Sequence, residues 1–337
     1  MKKLSFLFLL LPFVTNAQTV TSVAAGNFYS PTTWNCACIP NDTDTIYVNH
    51  TVTLNLGISY SGGLLQVGGG GSLVDGGAGI GILIDGGKVV NIGTINCSAI
   101  QLESGFLNNL ALLYVDSLWT RDTATNMGVV NITENFRNDL DGNYSNYGTF
   151  IVGNDFLNEA RFYNYSEADV HHDFANCNMA GSEAHFNITG EMCVYNDFLN
   201  CVDDTISGNG TIYISGTSNN AGEMQGNFIV NTPSGALSVN SGTIASAISF
   251  GTGSCDAGIQ NNSENNSFVI YPNPATNLLT CTEQIFNYEI YDFSGKLVSV
   301  GYSADGTIEV EFLLPGYYAI RILNSVGKIS TARFSKI

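Results

Sequence analysis

Positive charge is what this 337-residue sequence has least of: 11 Lys and Arg stand against 29 Asp and Glu. The deficit is local. Residues 18–264 hold 23 acidic side chains and 4 basic ones (Lys88, Arg121, Arg137, Arg161), whereas residues 265–337 hold 6 and 5. Affinity for nucleic acid comes largely from Lys and Arg neutralising phosphates, so a body with a balance of −19 excludes that partner class. Divalent cations and positively charged partners fit such a surface better. Long apolar runs are also missing. After Val14 no segment reaches the ~18 uninterrupted apolar residues of a spanning helix, and no transmembrane segment is expected. GxxxxGK[ST], GxSxG, HExxH and a Cys-His-Asn arrangement are absent, which removes the common phosphate-loop, nucleophile-elbow, zincin and thiol-protease signatures. No CxxC pair has a partner at zinc spacing.

Gly (37) and Asn (38) are abundant instead, and charged residues make up only 12%. Both residue types tolerate positive φ at tight corners, so this usage suits many short strands joined by many turns. Apolar residues alternate in short runs such as TIYVNHTVTLN and GTIYISG, and long amphipathic helical stretches do not occur. The fold class read from this pattern is all-β.

The chain opens MKKLSFLFLLLPFVTNAQ. Lys2 and Lys3, an apolar run from Leu4 to Val14 and the small residues Thr15 to Ala17 read as a secretory signal peptide over 1–17.

Two phrases, VGNDFLN (Val152–Asn158) and VYNDFLN (Val194–Asn200), repeat six of seven letters. Aligning on their Phe recovers more copies at Phe136, Phe156, Phe174, Phe198 and Phe228, spaced 20, 18, 24 and 30 residues. The frame is an aliphatic residue, two variable positions, Asn or Asp, Phe, one variable position, then Asn. Tyr144, Phe162 and Phe186 form a second register that drifts in step, 18 and 24 residues apart. A β-unit of about 20 residues cannot bury its apolar face alone, but it can by stacking on a copy of itself. The expectation is a right-handed parallel β-solenoid over 45–255 with Phe stacked inward and Asn ladders at the corners. Gly68–Gly71 and Gly76–Gly79 then read as corners rather than phosphate loops. Residues 18–44, with Trp34 and two Cys, read as an N-terminal cap over the exposed strand edge, and 256–266 as a polar linker.

Residues 267–337 are expected to hold about seven short strands, a small immunoglobulin-like β-sandwich. Their motifs are Tyr271-Pro272-Asn273-Pro274 with Asn277, Ile290-Tyr291-Asp292 leading to Gly295-Lys296, Gly316-Tyr317-Tyr318, Gly327-Lys328, and Arg333-Phe334-Ser335-Lys336. This segment resembles the type A C-terminal sorting domain of Bacteroidetes proteins exported by the type IX secretion system; Arg333 stands where Lys is commoner. The resemblance implies the type IX machinery and a surface sortase as partners. It also implies a cell-surface or extracellular destination, with the tail removed on arrival. The Trp34–Asn55 segment and the F-x-N rungs more loosely resemble solenoid cargo of such bacteria.

For chemistry, Asp139, Asp141 and Asn143 around Gly142 have the look of a calcium loop, although no acidic residue completes an EF-hand. A solvated turn is the plainer reading, and no other cofactor is expected. Asp42 with Asp44, and Asp203 with Asp204, are weaker versions. Cys177 and Cys201 each follow a repeat Phe by three residues, so solenoid stacking would set them ~4.8 Å apart, within reach of a disulfide. Cys36 and Cys38 look too close to bridge each other comfortably, and one or both are expected to tie the cap to Cys97. Of His171 and His172, alternation would turn one inward. No catalytic residue is assigned; Arg137 and Arg161, the candidates for lyase chemistry, sit in turn-like context. The expected function is structural or adhesin-like, towards glycans or extracellular matrix. The alternative is a polysaccharide lyase or glycosidase on the same solenoid.

Overall fold

The computed structural model describes residues 17–77, 79–178, 183–255, 270–281, 285–292, 297–301, 303, 306–324 and 329–337. Among these, all regular structure is β apart from one 3-10 turn at Pro31–Thr33. All but Ala17 of the expected signal peptide, the whole of the expected linker and the Gly295-Lys296 and Gly327-Lys328 motifs lie outside the described residues.

The body is a parallel β-solenoid of three faces. One rung runs Asn143–Asn146 on the first face, Thr149–Val152 on the second and Phe156–Asn158 on the third. Each strand pairs in parallel with its counterpart in the next rung, at Arg161–Asn164, Glu167–Val170 and Phe174–Asn176. Strands of three or four residues suffice because alternate side chains point inward, and corners of two or three residues separate them. The four repeat Phe from Phe136 to Phe198 are direct ladder partners. Their ring centroids lie 4.8, 5.1 and 5.3 Å apart. Tyr144, Phe162 and Phe186 form the second column on the first face, at 5.0 and 5.4 Å.

The fifth copy is corrected. Phe198 pairs with Ser218, not Phe228, and the rung reads Ser218-Asn219-Asn220. Phe228 is buried at the corner before the strand Ile229–Thr232. Asn231, which would take the Asn place of that copy three residues after Phe228, faces outward on the second face.

Asn closes the rungs from inside. On the third face, Asn138, Asn158, Asn176, Asn200, Asn220 and Asn240 each pass a side-chain amide hydrogen bond to the next, at 2.7–2.9 Å. A second ladder ends the first-face strands, through Asn91, Asn109, Asn126, Asn146 and Asn164, at 2.8–2.9 Å. All but Asn240 are buried. Buried amides are tolerable only when both ends are paired, and a ladder pairs every member except the last.

The expected cap does more than cover. Thr19–Thr21 already pairs with Thr45–Tyr47 as the first strand of the first face. Trp34 then packs edge-on against Phe28, with centroids 5.3 Å apart, and its indole N–H donates to the Phe28 carbonyl at 2.7 Å. The cysteine expectation fails here. Cys36 and Cys38 are bonded to each other, and Cys97 is a buried free thiol. Ala37 adopts φ +51°, which folds the chain back and sets the two Cα atoms 5.1 Å apart, inside the range a disulfide accepts. At the Gly-rich corner, a Cβ on Gly71 would lie 1.9 Å from the Val48 carbonyl oxygen, so that corner admits only glycine.

The tail has its own core of Leu279, Ile290, Ile308, Ile320, Ile322 and Phe334. Two antiparallel sheets enclose it. One holds Ile270–Tyr271, Leu278–Cys281 and Thr307–Glu309; the other holds Leu297–Gly301, Ile285–Asp292, Gly316–Asn324 and Ile329–Lys336. No helix among the described residues is long and apolar enough to cross a membrane.

Candidate functional site

The residue before each ladder Phe builds an acidic edge between the second and third faces. It is Asn135, Asp155, Asp173, Asp197 and then Thr217. The backbone N–H at each position donates to the side chain one rung earlier: Asp155 to Asn135 (3.2 Å), Asp173 to Asp155 (3.4 Å), Asp197 to Asp173 (3.1 Å) and Thr217 to Asp197 (2.8 Å). The frame asks for Asn or Asp there because the corner amide needs an acceptor from its neighbour. The Thr217 amide holds the Asp197 carboxyl below the usual carboxylate range. His172 Nδ1 sits 2.6 Å from Asp155 Oδ1 and 3.5 Å from Asp173 Oδ2, and the bond to Asp155 raises its pKa. Asp155, His172 and Asp173 offer ligand atoms within 4.8 Å of one another, the one such group of three among the described residues. Both His171 and His172 are exposed, contrary to the expected alternation, because the strand ends at Val170.

Beside this edge, the outer second face carries Glu167 and Asp169 on one strand, in register with Glu191 and Cys193 on the next. Burial pushes the Asp169 carboxyl up to about 6, Glu167 adds repulsion, and His171 opposes it. Burial and Glu167 also raise Glu191. His171 meets the ring of Tyr195 edge-on at 5.1 Å. Arg321 of the tail reaches Thr149 and lies 3.7 Å from Glu167.

The opposite edge, between the third and first faces, carries ion pairs. Arg121 bridges Glu103 (3.0 Å) and the buried Asp139 (2.9 Å), and Arg137 bridges Asp139 (3.6 Å) and the buried Glu159 (2.5 Å). Trp119 donates to Asp139 at 3.1 Å and lies under the Arg121 guanidinium at 4.7 Å. Arg137 is the outward-facing centre of a strand rather than a turn residue, and Arg161 opens one. Of the expected calcium ligands, Asp139 is thus covered by two guanidinium groups, while Asp141 and Asn143 are exposed. Asp44 accepts the amides of Gln18 and Asn41, and Asp204 those of Asn178 and Ala184. Asp42 accepts the Ser61 hydroxyl, and Asp203 sits at φ +67°. One rung beyond Glu159, the edge continues as a Cys177–Cys201 disulfide with Cα atoms 5.0 Å apart.

In the tail, motifs 60 and 62 residues apart meet at one end. Asn273 donates from Nδ2 to the Arg333 carbonyl (3.1 Å) and accepts the Ser335 amide on Oδ1 (3.0 Å). Its flanking peptides, Tyr271-Pro272 and Asn273-Pro274, are both cis. Gly316, Tyr317 and Tyr318 pair directly with Lys336, Ser335 and Phe334, and the Tyr318 and Phe334 rings stack at 5.5 Å. Lys336 is buried with Nζ on the Ile337 carbonyl (2.6 Å), whereas Tyr271 and Tyr317 stay exposed. Ile290 lies in the core, and the strand that carries it pairs with Gly316–Asn324.

No curated protein and no solved structure matches the chain. Residues 269–334 match the family of secretion system C-terminal sorting domains. Sequence motifs, tail geometry and this match agree: the chain is a type IX secretion cargo, with a C-terminal sorting domain on a β-solenoid body, destined for the cell surface or the extracellular space.

Proposed function

We propose that the solenoid is a structural, adhesin-like module of a Bacteroidetes bacterium, which presents its acidic edge and second face to glycans or extracellular matrix. A secretory signal peptide over 1–17 would start its route, and a surface sortase would act on the tail. The observation that carries the proposal is repetition. Along the edge the same hydrogen-bonded acid recurs at Asp155, Asp173 and Asp197, one per rung. A row with a ~4.8 Å period suits a polymeric or multivalent partner better than a single small molecule. The body, with 23 acids and 4 bases over 18–264, favours partners that bring cations or positive charge. Calcium belongs to this proposal as a stabilising ion at the exposed Asp141 and Asn143; Asp139, held by Arg121 and Arg137, is not free to join them.

The alternative, a carbohydrate-active enzyme, draws on one feature: Asp169, raised to about 6, beside Glu167 and Glu191. A raised carboxyl is what a general acid requires. These acids share one face, however, and glycosidases set two carboxyls on either side of the scissile bond. A glycan array and a polysaccharide-degradation screen on the purified full chain, with calcium and with chelator, decide between the two. Binding without turnover supports the adhesin-like module, and its loss in chelator supports the calcium site. Release of new sugar ends overturns the adhesin-like reading.

A further inference from the structure

The chain leaves the last rung by an unusual route. After the second-face strand Ser249–Thr252 it does not turn onto the third face. It runs back across the outside of earlier rungs instead. Gly253 lies flat on that surface: a Cβ there would come within 3.1 Å of the Asn231 Cβ and 3.6 Å of the Tyr213 ring. Two residues on, the Cys255 amide donates to Ser215 Oγ (3.3 Å), and its Sγ reaches the Tyr213 carbonyl at 3.5 Å. Tyr213 is the direct ladder partner of Cys193, whose side chain also faces outward. The Cys255 sulfur thus sits over the strand beside Cys193, close enough for each thiol to shift the other's titration, and both are half-buried.

We propose that Cys193 and Cys255 form a third disulfide in the exported protein, which staples the outgoing chain to the second face. The final rung needs such a lock. Its strands Val239–Asn240 and Thr243–Ile244 are two residues each, and Val239 is 57% exposed. Among the described residues no strand pairs with the outer side of this rung, and a parallel edge of this kind frays or recruits another chain. The linker to the sorting domain begins directly after Cys255, so a covalent staple carries any pull from the tail past the weak rung.

The chemistry is thiol–disulfide exchange with a protein disulfide, the class of oxidant that also serves Cys36–Cys38 and Cys177–Cys201. The Cys255 thiol loses its proton, and the thiolate attacks one sulfur of the oxidant disulfide and expels the other as thiolate. Cys193 then loses its proton and displaces the oxidant from Cys255. Two protons and two electrons leave the pair, and the oxidant departs as a dithiol.

The test is a thiol count on the full-length chain, exported to an oxidising periplasm, unfolded and treated with Ellman's reagent. Of eight cysteines, the third disulfide leaves two reactive, Cys97 and Cys281; without it four react. Cys193→Ser separates the cases by sign. It raises the count from two to three if the pair is bonded, and lowers it from four to three if it is not. Peptide mapping without reduction should recover a fragment joining 193 to 255. Four thiols in the native chain, or Cys255 joined to any other cysteine, would overturn the proposal.

Discussion

The side-chain amide of Asn158 donates to Asn176 Oδ1 at 2.7 Å, and its own Oδ1 accepts from Asn138 at 2.8 Å. Asn158 also donates to the Ala160 carbonyl at 3.1 Å, so one buried side chain serves three rungs. The bond is possible because both Asn follow a ladder Phe by two residues. The Phe column sets the register, and the Asn column then satisfies the polar groups the register buries. Packing and hydrogen bonding thus repeat with the same period.

Replacing Asn158 with Leu keeps the volume and removes the bonds. Asn138 Nδ2 loses the Asn158 Oδ1 acceptor and keeps the Arg161 carbonyl, its own Oδ1 still accepting from Thr120, while Asn176 Oδ1 loses its donor. Stranded buried polar groups cost ~1–3 kcal/mol each, so the loss should be about 2–4 kcal/mol, read as a lower urea midpoint. An unchanged midpoint would mean that the ladder contributes register but no stability.

Phe174 lies between Phe156 (5.1 Å) and Phe198 (5.3 Å) and is fully buried. Phe174→Ala should cost ~3–5 kcal/mol, and Phe174→Leu distinctly less, because a rigid stack cannot close over the cavity. Thermal unfolding of the two variants side by side checks the order. Equal losses would indicate that ring stacking, rather than filled volume, holds the column.

Features that recur at the rung period were legible in the sequence. The two aromatic columns and the third-face Asn ladder repeat 18, 20 or 24 residues apart, and their spacing drifts together. The first-face ladder was missed although Asn126, Asn146 and Asn164 carry the same 20- and 18-residue spacing, because reading from the Phe drew attention to one corner only. Phe228 misled for a related reason: the true rung replaces Phe with Ser218, and an apolar side chain at the next corner looked like the missing one. The ends and edges were less legible. Cys36–Cys38 depends on a positive φ at Ala37, and the fate of Asp139 on arginines two residues before it and one rung away. No local pattern encodes such contacts. The acidity of the second face was visible as composition, but the raised Asp169 pKa arises from burial that only the folded surface creates.

Asp169 gives the protein a pH signature. Its folded pKa of about 6 lies above its ordinary value of 3.8, so the folded state holds the proton more tightly. The stability it contributes is full below pH 3.8 and is lost as pH rises through 6. Glu167, Glu191, His171, Cys193, Tyr195 and Cys255 surround it, Arg321 lies beyond at Glu167, and Glu167 works in the same direction. Asp169→Asn should therefore be more stable than the native chain at pH 7.5, by about 1 kcal/mol after discounting for solvent screening, and should match it near pH 3.5. Urea titrations at the two pH values measure this. A variant less stable at pH 7.5 would show that the charged carboxylate is held by a favourable partner.

Asn273 is the residue on which the sorting geometry turns. Among the described residues, its side chain ties the Tyr271–Pro274 motif to the terminal strand through bonds to Arg333 and Ser335, which brings the exposed Tyr271 and Tyr317 to the same end of the tail. Ala275, next along, is bonded to Ser335 and Ile337 through its backbone, so Asn273→Ala should loosen the motif without unfolding the domain. The tail core of Ile290, Ile320 and Phe334 is untouched by the change. Export should then fall severalfold, with folded, protease-resistant protein retained in the periplasm. Tyr271→Ala provides the comparison, because it removes an exposed ring and leaves the Asn273 bonds in place. If Asn273→Ala is exported at the native level while Tyr271→Ala is retained, recognition rests on the exposed ring alone, and the convergence of the motifs is a consequence of folding rather than the signal.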